Sequence, residues 1–253
     1  MDALASQRIV DIRYAIRDTR YAISDMRYAI SDMLLAIDTA TQRASLALHD
    51  GGCVRAEMTW EMAGHHTVEL MPRILWMLDQ LGAKARDLTA LAVAIGPGSF
   101  TGLRIGLAIA KGLALANSIP VVGIPTLDAV AVAQPVRKEP LVAVLHAGRG
   151  KLAAMCYRRA RGEWRAQGDV AVTTTGRIGE DWDRPALLCG ELDAAERASI
   201  VARLGDRVIL ADPAHSLRRA GFLAERGWRR VQSGAIDDLD ALKPIYLPTA
   251  GVT

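Results

Sequence analysis

Aromatic side chains make up only 5% of the 253 residues, and phenylalanine occurs twice. A hydrophobic content of 51% must therefore be carried by small aliphatic residues, which reads as a globular protein packed with Ala, Leu and Val. Cysteine is equally scarce. Cys53, Cys156 and Cys189 form no CxxC pair and no metal-ligand spacing, which fits a reducing cytoplasm. Neither sign of charge dominates, and a net of +3 gives no ground for nucleic-acid binding. No run approaches the roughly 18 apolar residues of a membrane span, and no basic segment leads a short apolar one. Neither a transmembrane helix nor a signal peptide is expected, and the length suits one large core or two lobes of about 100 residues.

What is present centres on residues 90–120. An apolar strand over Leu91–Ile95 runs into Gly96-Pro-Gly-Ser-Phe-Thr-Gly102, and a small-residue helix is expected over Leu103–Ala116, then a strand near 119–122. Strand, glycine-rich turn, helix and strand in this order read as one β-α-β unit. Gly96, Gly98 and Gly102 leave little bulk and Pro97 fixes one φ angle, while Phe100 reads as a plug into the core or into a partner. A glycine loop opening a helix can hold a phosphate. Two phosphate patterns fail here, since Leu103 follows Gly102 where a P-loop needs Lys, and Thr101 stands where the dinucleotide fingerprint needs its third glycine. A structural turn or interface and an anion site both remain open.

The first 32 residues contain three near-copies, beginning at Arg13, Arg20 and Arg27, whose Tyr and Ile do not follow a coiled-coil heptad. They read as a weakly patterned extension, with the folded part beginning at Met33. Strands are expected over 34–37, 44–49 and 54–60, with Asp50-Gly51-Gly52 as a hairpin turn. A helix over His65–Leu81 carries Val68, Met71, Leu75 and Leu78 on one face and Leu70, Ile74, Met77 and Leu81 on the next, with Pro72 expected to kink or restart it. The helix from Leu103 is apolar nearly all round, with Gly106, Ala108, Ala110, Gly112 and Ala114 permitting close approach. Two such helices either share the cover of one sheet or present a surface to a partner. His65, His66 and Glu69 match neither HExxH nor HxxxH and read as a cap or surface contact.

Gln134 to Pro140 is a polar, proline-bounded link that divides residues 33–133 from 141–253. Beyond it, strands are expected over 141–145, 152–157, 170–174, 186–189 and 208–210, and helices over 193–204 and 214–226. Arg226, Arg229 and Arg230 beside Trp228 make a modest basic spot, read either as a solvated helix end or as an RNA-backbone contact.

Met33-Leu-Leu-Ala-Ile-Asp-Thr-Ala-Thr41, His66-Thr-Val-Glu-Leu-Met-Pro72, Gly96-Pro-Gly-Ser-Phe-Thr-Gly-Leu-Arg-Ile-Gly106 and the ending Pro244-Ile-Tyr-Leu247 together resemble the TsaB (YeaZ) family. The match is good over residues 33 to about 133. It implies an α/β, two-lobed actin-like ATPase fold (the actin, Hsp70 and sugar-kinase, ribonuclease H-like superfamily) with mixed sheets flanked by helices. It also implies a cytoplasmic, non-catalytic subunit required for threonylcarbamoyl transfer to adenosine 37 of tRNAs that read ANN codons. The implied partners are a TsaD-like transferase and a TsaE-like ATPase, with tRNA met only through the complex. Separately from the resemblance, an exposed apolar pair of helices would allow a homodimer when the chain is alone. No catalytic residue, metal or cofactor is implied.

The resemblance places the partner interface on the two helices, at Val68, Met71, Leu75, Leu78, Leu103, Gly106, Leu107, Ala110 and Ala114. The family motif loop comprises Asp38, Gly96, Pro97, Gly98, Ser99, Phe100, Thr101, Gly102 and Arg104. Nucleotide-using members of this fold close a glycine-bearing turn on phosphate after the first strand, whereas Asp38-Thr-Ala-Thr-Gln-Arg43 has no glycine. In the second half, His146-Ala-Gly-Arg-Gly-Lys151 replaces an acidic family turn, with His and Lys at the acidic positions. Two other functions stay in competition: a stand-alone actin-like ATPase or phosphotransferase working near Asp38 and Gly96–Gly102, and an RNA-binding module using the three arginines.

Overall fold

The computed structural model describes residues 32–62 and 66–247, with the side chains of residues 66–68 left out. The expected extension before Asp32, and His65, lie outside the described residues. From Asp32 the chain forms one compact unit built on two sheets.

The first sheet holds β1 (Leu34–Asp38), β2 (Arg43–His49), β3 (Val54–Glu61), β4 (Ala90–Gly96) and β5 (Val121–Pro125) in the order β3-β2-β1-β4-β5. β1 pairs antiparallel with β2 and parallel with β4, and Leu34 is level with both His49 and Ala90. The second sheet holds β6 (Leu141–His146), β7 (Lys151–Ala160), β8 (Glu163–Thr174), β9 (Ala186–Gly190) and β10 (Val208–Leu210) in the order β10-β9-β6-β7-β8. Its pairing repeats the first: β6 is antiparallel to β7 and parallel to β9. The chain is thus the expected α/β protein with mixed sheets flanked by helices, one topology used twice.

α1 (His66–Gln80) and α2 (Phe100–Asn117) lead into and out of β4, and α1 runs on through Pro72. α3 (Thr126–Val132) follows β5, α4 (Ala194–Leu204) lies between β9 and β10, and α5 (Pro213–Ser216) and α6 (Ala220–Gln232) close the fold. The last helices of the two halves are exchanged. α3 lies against the second sheet, where Leu127, Val130 and Ala131 share a core with Leu141, Leu145 and Leu187. α6 lies against the first, where Ala220, Leu223 and Ala224 share a core with Leu34, Ala36 and Ala92. Alanines in the sheet make this close approach possible, and a Cβ on Gly227 would collide with that of Ala92. We propose the division at 134–140 for the two sheets alone, since each half's closing helix belongs to the other's core.

Three elements depart from the expected bounds for reasons visible in the fold or by the largest margin. α2 starts at Phe100, not Leu103, because the Ser99 hydroxyl accepts the Gly102 N–H at 3.2 Å and caps the helix inside the glycine motif. β8 begins at Glu163, seven residues before the expected strand at Val170. The single helix expected over 214–226 is two, because Leu217 and Arg219 take extended backbone angles. Among the described residues no helix is long and apolar enough to cross a membrane.

Candidate functional site: a filled crevice and a helix pair

In sheets containing parallel strands, ligands are met beyond the carboxyl ends of those strands. Asp38 ends β1 and Gly96 ends β4 in the first sheet, and His146 ends β6 and Gly190 ends β9 in the second. A cavity of about 250 Å³ beside the end of β6 is lined by Thr41, Arg43, Glu61, His146, Glu191 and Asp193, among others.

The crevice floor is occupied by the chain itself. Arg218, from the break between α5 and α6, is the largest fully buried side chain among the described residues. One guanidinium nitrogen forms an ion pair with Asp38 Oδ1, and Nε donates to Glu191 Oε1 at 3.1 Å. The remaining nitrogen donates to Thr41 Oγ1 and to the Arg43 carbonyl, both at 2.6 Å. Burial alone would lower the pKa of Arg218, but the carboxylates of Asp38 and Glu191 outweigh it and raise the pKa above its ordinary value. Sequence reasoning missed this residue, since a lone arginine within a stretch expected to be one helix carries no pattern.

The turn after β1 is equally committed on its other side. Asp38 Oδ1 accepts the Ala40 N–H at 2.9 Å, the Ala40 carbonyl accepts Ser99 N–H at 2.6 Å, and Thr39 Oγ1 donates to the Gly102 carbonyl at 2.8 Å. A Cβ on Gly98 would strike the Ala40 carbonyl, one on Gly102 the Thr39 carbonyl, and one on Gly106 the Thr39 hydroxyl. The glycines of the motif are small because the chain's own turn lies on them. Gly96 donates to Thr126 Oγ1 at 3.0 Å, its peptide to Pro97 is cis, and its φ of 111° is open only to glycine. The tail closes over this point, with the Ile245 N–H donating to the Ile95 carbonyl at 2.7 Å.

Phe100 is not a core plug. It is 54% exposed, with Arg104 stacked 3.7 Å from its centroid and the Tyr246 ring 5.1 Å away. Arg104 Nε also donates to the Tyr246 hydroxyl at 2.9 Å. Thr101 is likewise exposed at the first turn of α2.

The helix residues expected at a partner interface divide sharply. Leu78, Leu103, Gly106, Leu107, Ala110 and Ala114 are buried within the chain and offer no docking surface. Their spacing along α2 is a stripe of three and four residues, the face turned to the sheet. Met71 is half-buried, Leu75 is exposed, and the Val68 side chain lies outside the described residues. The free apolar groups are others: Trp76 beside Leu75 on α1, and Leu115 on α2. Phe100, Arg104, Ile105, Ala108 and Ile109 line a shallow groove of about 360 Å³ along α2. Alternation was legible, but a helix apolar on all sides does not declare which side meets its own sheet.

The remaining candidates are absorbed by the fold. Glu69 accepts from Trp60 Nε1 at 3.2 Å and pairs with Arg73 at 3.0 Å. His146 pairs with Glu196 at 3.3 Å. Of the three arginines near Trp228, Arg226 faces Asp128 at 3.6 Å, Arg229 pairs with Glu225 and Glu163, and Arg230 pairs with Asp237 at 2.9 Å. Among the described residues no three His, Cys, Asp or Glu side chains gather as metal ligands.

Comparison with known proteins agrees with this geometry. Residues 54–188 match the family model described as TsaD, tRNA N6-adenosine threonylcarbamoyltransferase. The tRNA threonylcarbamoyladenosine biosynthesis protein TsaB of Escherichia coli is 45% identical over 92 residues, 36% of this chain and 39% of that protein. The chain thus spans about two fifths of that relative's length. The Bacillus subtilis protein of the same name is 28% identical over 222 residues, 85% of this chain and 93% of that one. The solved structure of YeaZ from Pseudomonas aeruginosa superposes with a TM-score of 0.71 at 28% identity, covering 85% of this chain and 100% of that one. Two matched sheets, a glycine motif closed on the first-strand turn and these relatives lead to one conclusion: the chain belongs to the TsaB (YeaZ) family of the actin/Hsp70/sugar-kinase-like superfamily.

Proposed function

We propose that the chain is a non-catalytic partner subunit in tRNA threonylcarbamoyladenosine synthesis, one that scaffolds and activates a TsaD-like transferase. The observation that carries this reading is the set of exposed apolar residues on α1 and α2, Leu75, Trp76, Phe100 and Leu115, next to helix faces already satisfied by the sheet. A contiguous apolar patch left in water, unlike a single exposed side chain, marks a protein contact, and Phe100, Ile105, Ala108 and Ile109 line such a groove along α2. The names of these relatives place them in biosynthesis of threonylcarbamoyladenosine. A TsaE-like ATPase is the third component, tRNA is met through the complex, and the same apolar face supports a homodimer when the partner is missing. The working compartment is the cytoplasm.

The stand-alone ATPase reading is disfavoured by Arg218, which fills the space between Asp38 and Glu191, and by the motif glycines, which face the chain's own turn after β1. Threonylcarbamoyl transfer to tRNA is measured with a TsaD-like and a TsaE-like protein from the same genome, with and without this chain. Modification is expected only when the chain is added, and no transfer or ATP hydrolysis by the chain alone. Full transfer without the chain, or ATP turnover by the chain alone, overturns the proposal.

A further inference from the structure

Arg218 and Arg219 are neighbours with opposite fates. Residues 217 and 219 have extended backbone angles, and side chains along extended backbone point to alternate sides. Arg219 reaches outward to Glu57 of β3, while Arg218 turns into the crevice. Its partners belong to both halves of the molecule: Asp38, Thr41 and the Arg43 carbonyl on the first sheet's side, and Glu191, directly after β9, on the second's.

A buried arginine is tolerated only when its charge is met, and the Asp38 and Glu191 carboxylates meet it here. Nε and one terminal nitrogen also donate to Glu191, Thr41 and the Arg43 carbonyl, while the other terminal nitrogen makes only the ion pair with Asp38. These acceptors converge beyond the ends of β1 and β9, where a mixed sheet offers its ligand position. The geometry points to Arg218 as the resident cation of this crevice: its guanidinium takes the place of a diffusible ligand and ties the two sheets together in the closed arrangement. The site is thus a guanidinium site whose occupant is covalently part of the chain. The planar fork matters, because three nitrogens address four acceptors in different directions, which a single ammonium cannot do. The inference does not rest on the partner-subunit reading and survives if that reading fails.

The test is chemical rescue read by thermal unfolding of the full chain. Removing one partner of a buried pair leaves uncompensated charge, so Arg218→Ala is expected to melt about 6–15 °C lower than the wild type. Guanidinium chloride at about 5 mM is expected to restore at least half of that loss, by mass action on the emptied site. Sodium chloride or methylammonium at equal concentration restores none, and guanidinium does not raise the wild-type midpoint. Glu191→Gln added to Arg218→Ala weakens the rescue. A second variant covers the case in which Arg218→Ala does not fold: Arg218→Lys keeps the charge without the fork and is expected to melt well below the wild type. The inference is overturned if either variant melts with the wild type, or if guanidinium acts no differently from sodium. A rise in the wild-type midpoint with magnesium and ATP also overturns it, since the crevice would then be open to a diffusible ligand.

Discussion

Thr39 and Gly102, separated by 63 positions, are joined by a hydrogen bond of 2.8 Å from the threonine hydroxyl to the glycine carbonyl. The bond fixes the turn after the first strand onto the opening of α2, and it explains the glycine motif without any bound ligand. Gly102 carries no side chain because the Thr39 carbonyl stands where a Cβ would be.

This closure predicts opposite outcomes for two glycines of one helix. Gly102→Ala forces a methyl group against backbone and is expected to destabilise the protein by about 1–3 kcal/mol. Gly112→Ala, where nothing lies within 4 Å of the added carbon, is expected to stabilise it by about 0.5–1 kcal/mol through helix propensity. Urea unfolding of the two variants measures both. Equal effects would mean that the turn does not lie on Gly102.

The arginines near Trp228 are paired with carboxylates of the chain itself. Arg230 donates to the Gly123 carbonyl at 2.8 Å and pairs with Asp237, so Arg230→Ala is expected to cost about 1 kcal/mol of stability. Arg229 is mostly exposed, and Arg229→Ala is expected to change stability by less than about 0.5 kcal/mol. Neither variant is expected to alter filter binding of tRNA by the isolated chain. Strong, salt-dependent binding that both variants abolish would restore the RNA-module reading.

Burial raises the pKa of the Cys189 thiol, and burial together with the neighbouring Asp128 carboxylate raises that of the Tyr157 phenol. Both groups are held protonated in the folded state more strongly than in the unfolded one. Their contribution is complete below the unfolded pKa values and declines as pH rises above them, which for the thiol begins near 9.0. Stability is therefore expected to fall above that pH by up to about 1.4 kcal/mol per pH unit for each group. Cys189→Ala should flatten the slope. An unchanged slope would show that the thiol does not titrate with unfolding.

Much of the fold was legible because strand and turn chemistry are local. Asp50 and the two glycines after it mark the β2–β3 hairpin, and the polar link around Pro135 to Pro140 lies between the sheets. The exchange of α3 and α6 was not, since which sheet a short helix covers is set by tertiary packing. The site was half legible. The motif from Gly96 to Gly102 announced close approach, yet the approaching atoms belong to Thr39 and Ala40 and not to a partner. Arg218 left no trace, because its partners come from two stretches far from it in the chain, 38–43 and Glu191. On α2, the stripe through Leu103, Leu107 and Ala110 was equally apolar on paper, and only the position of the sheet distinguishes it from Ile105, Ala108 and Ile109.

The partner surface is tested most directly by size-exclusion chromatography with light scattering on this chain and the TsaD-like protein of the same genome. Leu75→Arg and Ala108→Arg alter exposed positions and are expected to melt within about 0.5 kcal/mol of the wild type. Ala110→Arg places a charge in the core and is expected to unfold. The account predicts a stable heterocomplex with the wild-type chain, lost in the two folded variants. A complex that survives both substitutions, or none with the wild-type chain, contradicts it.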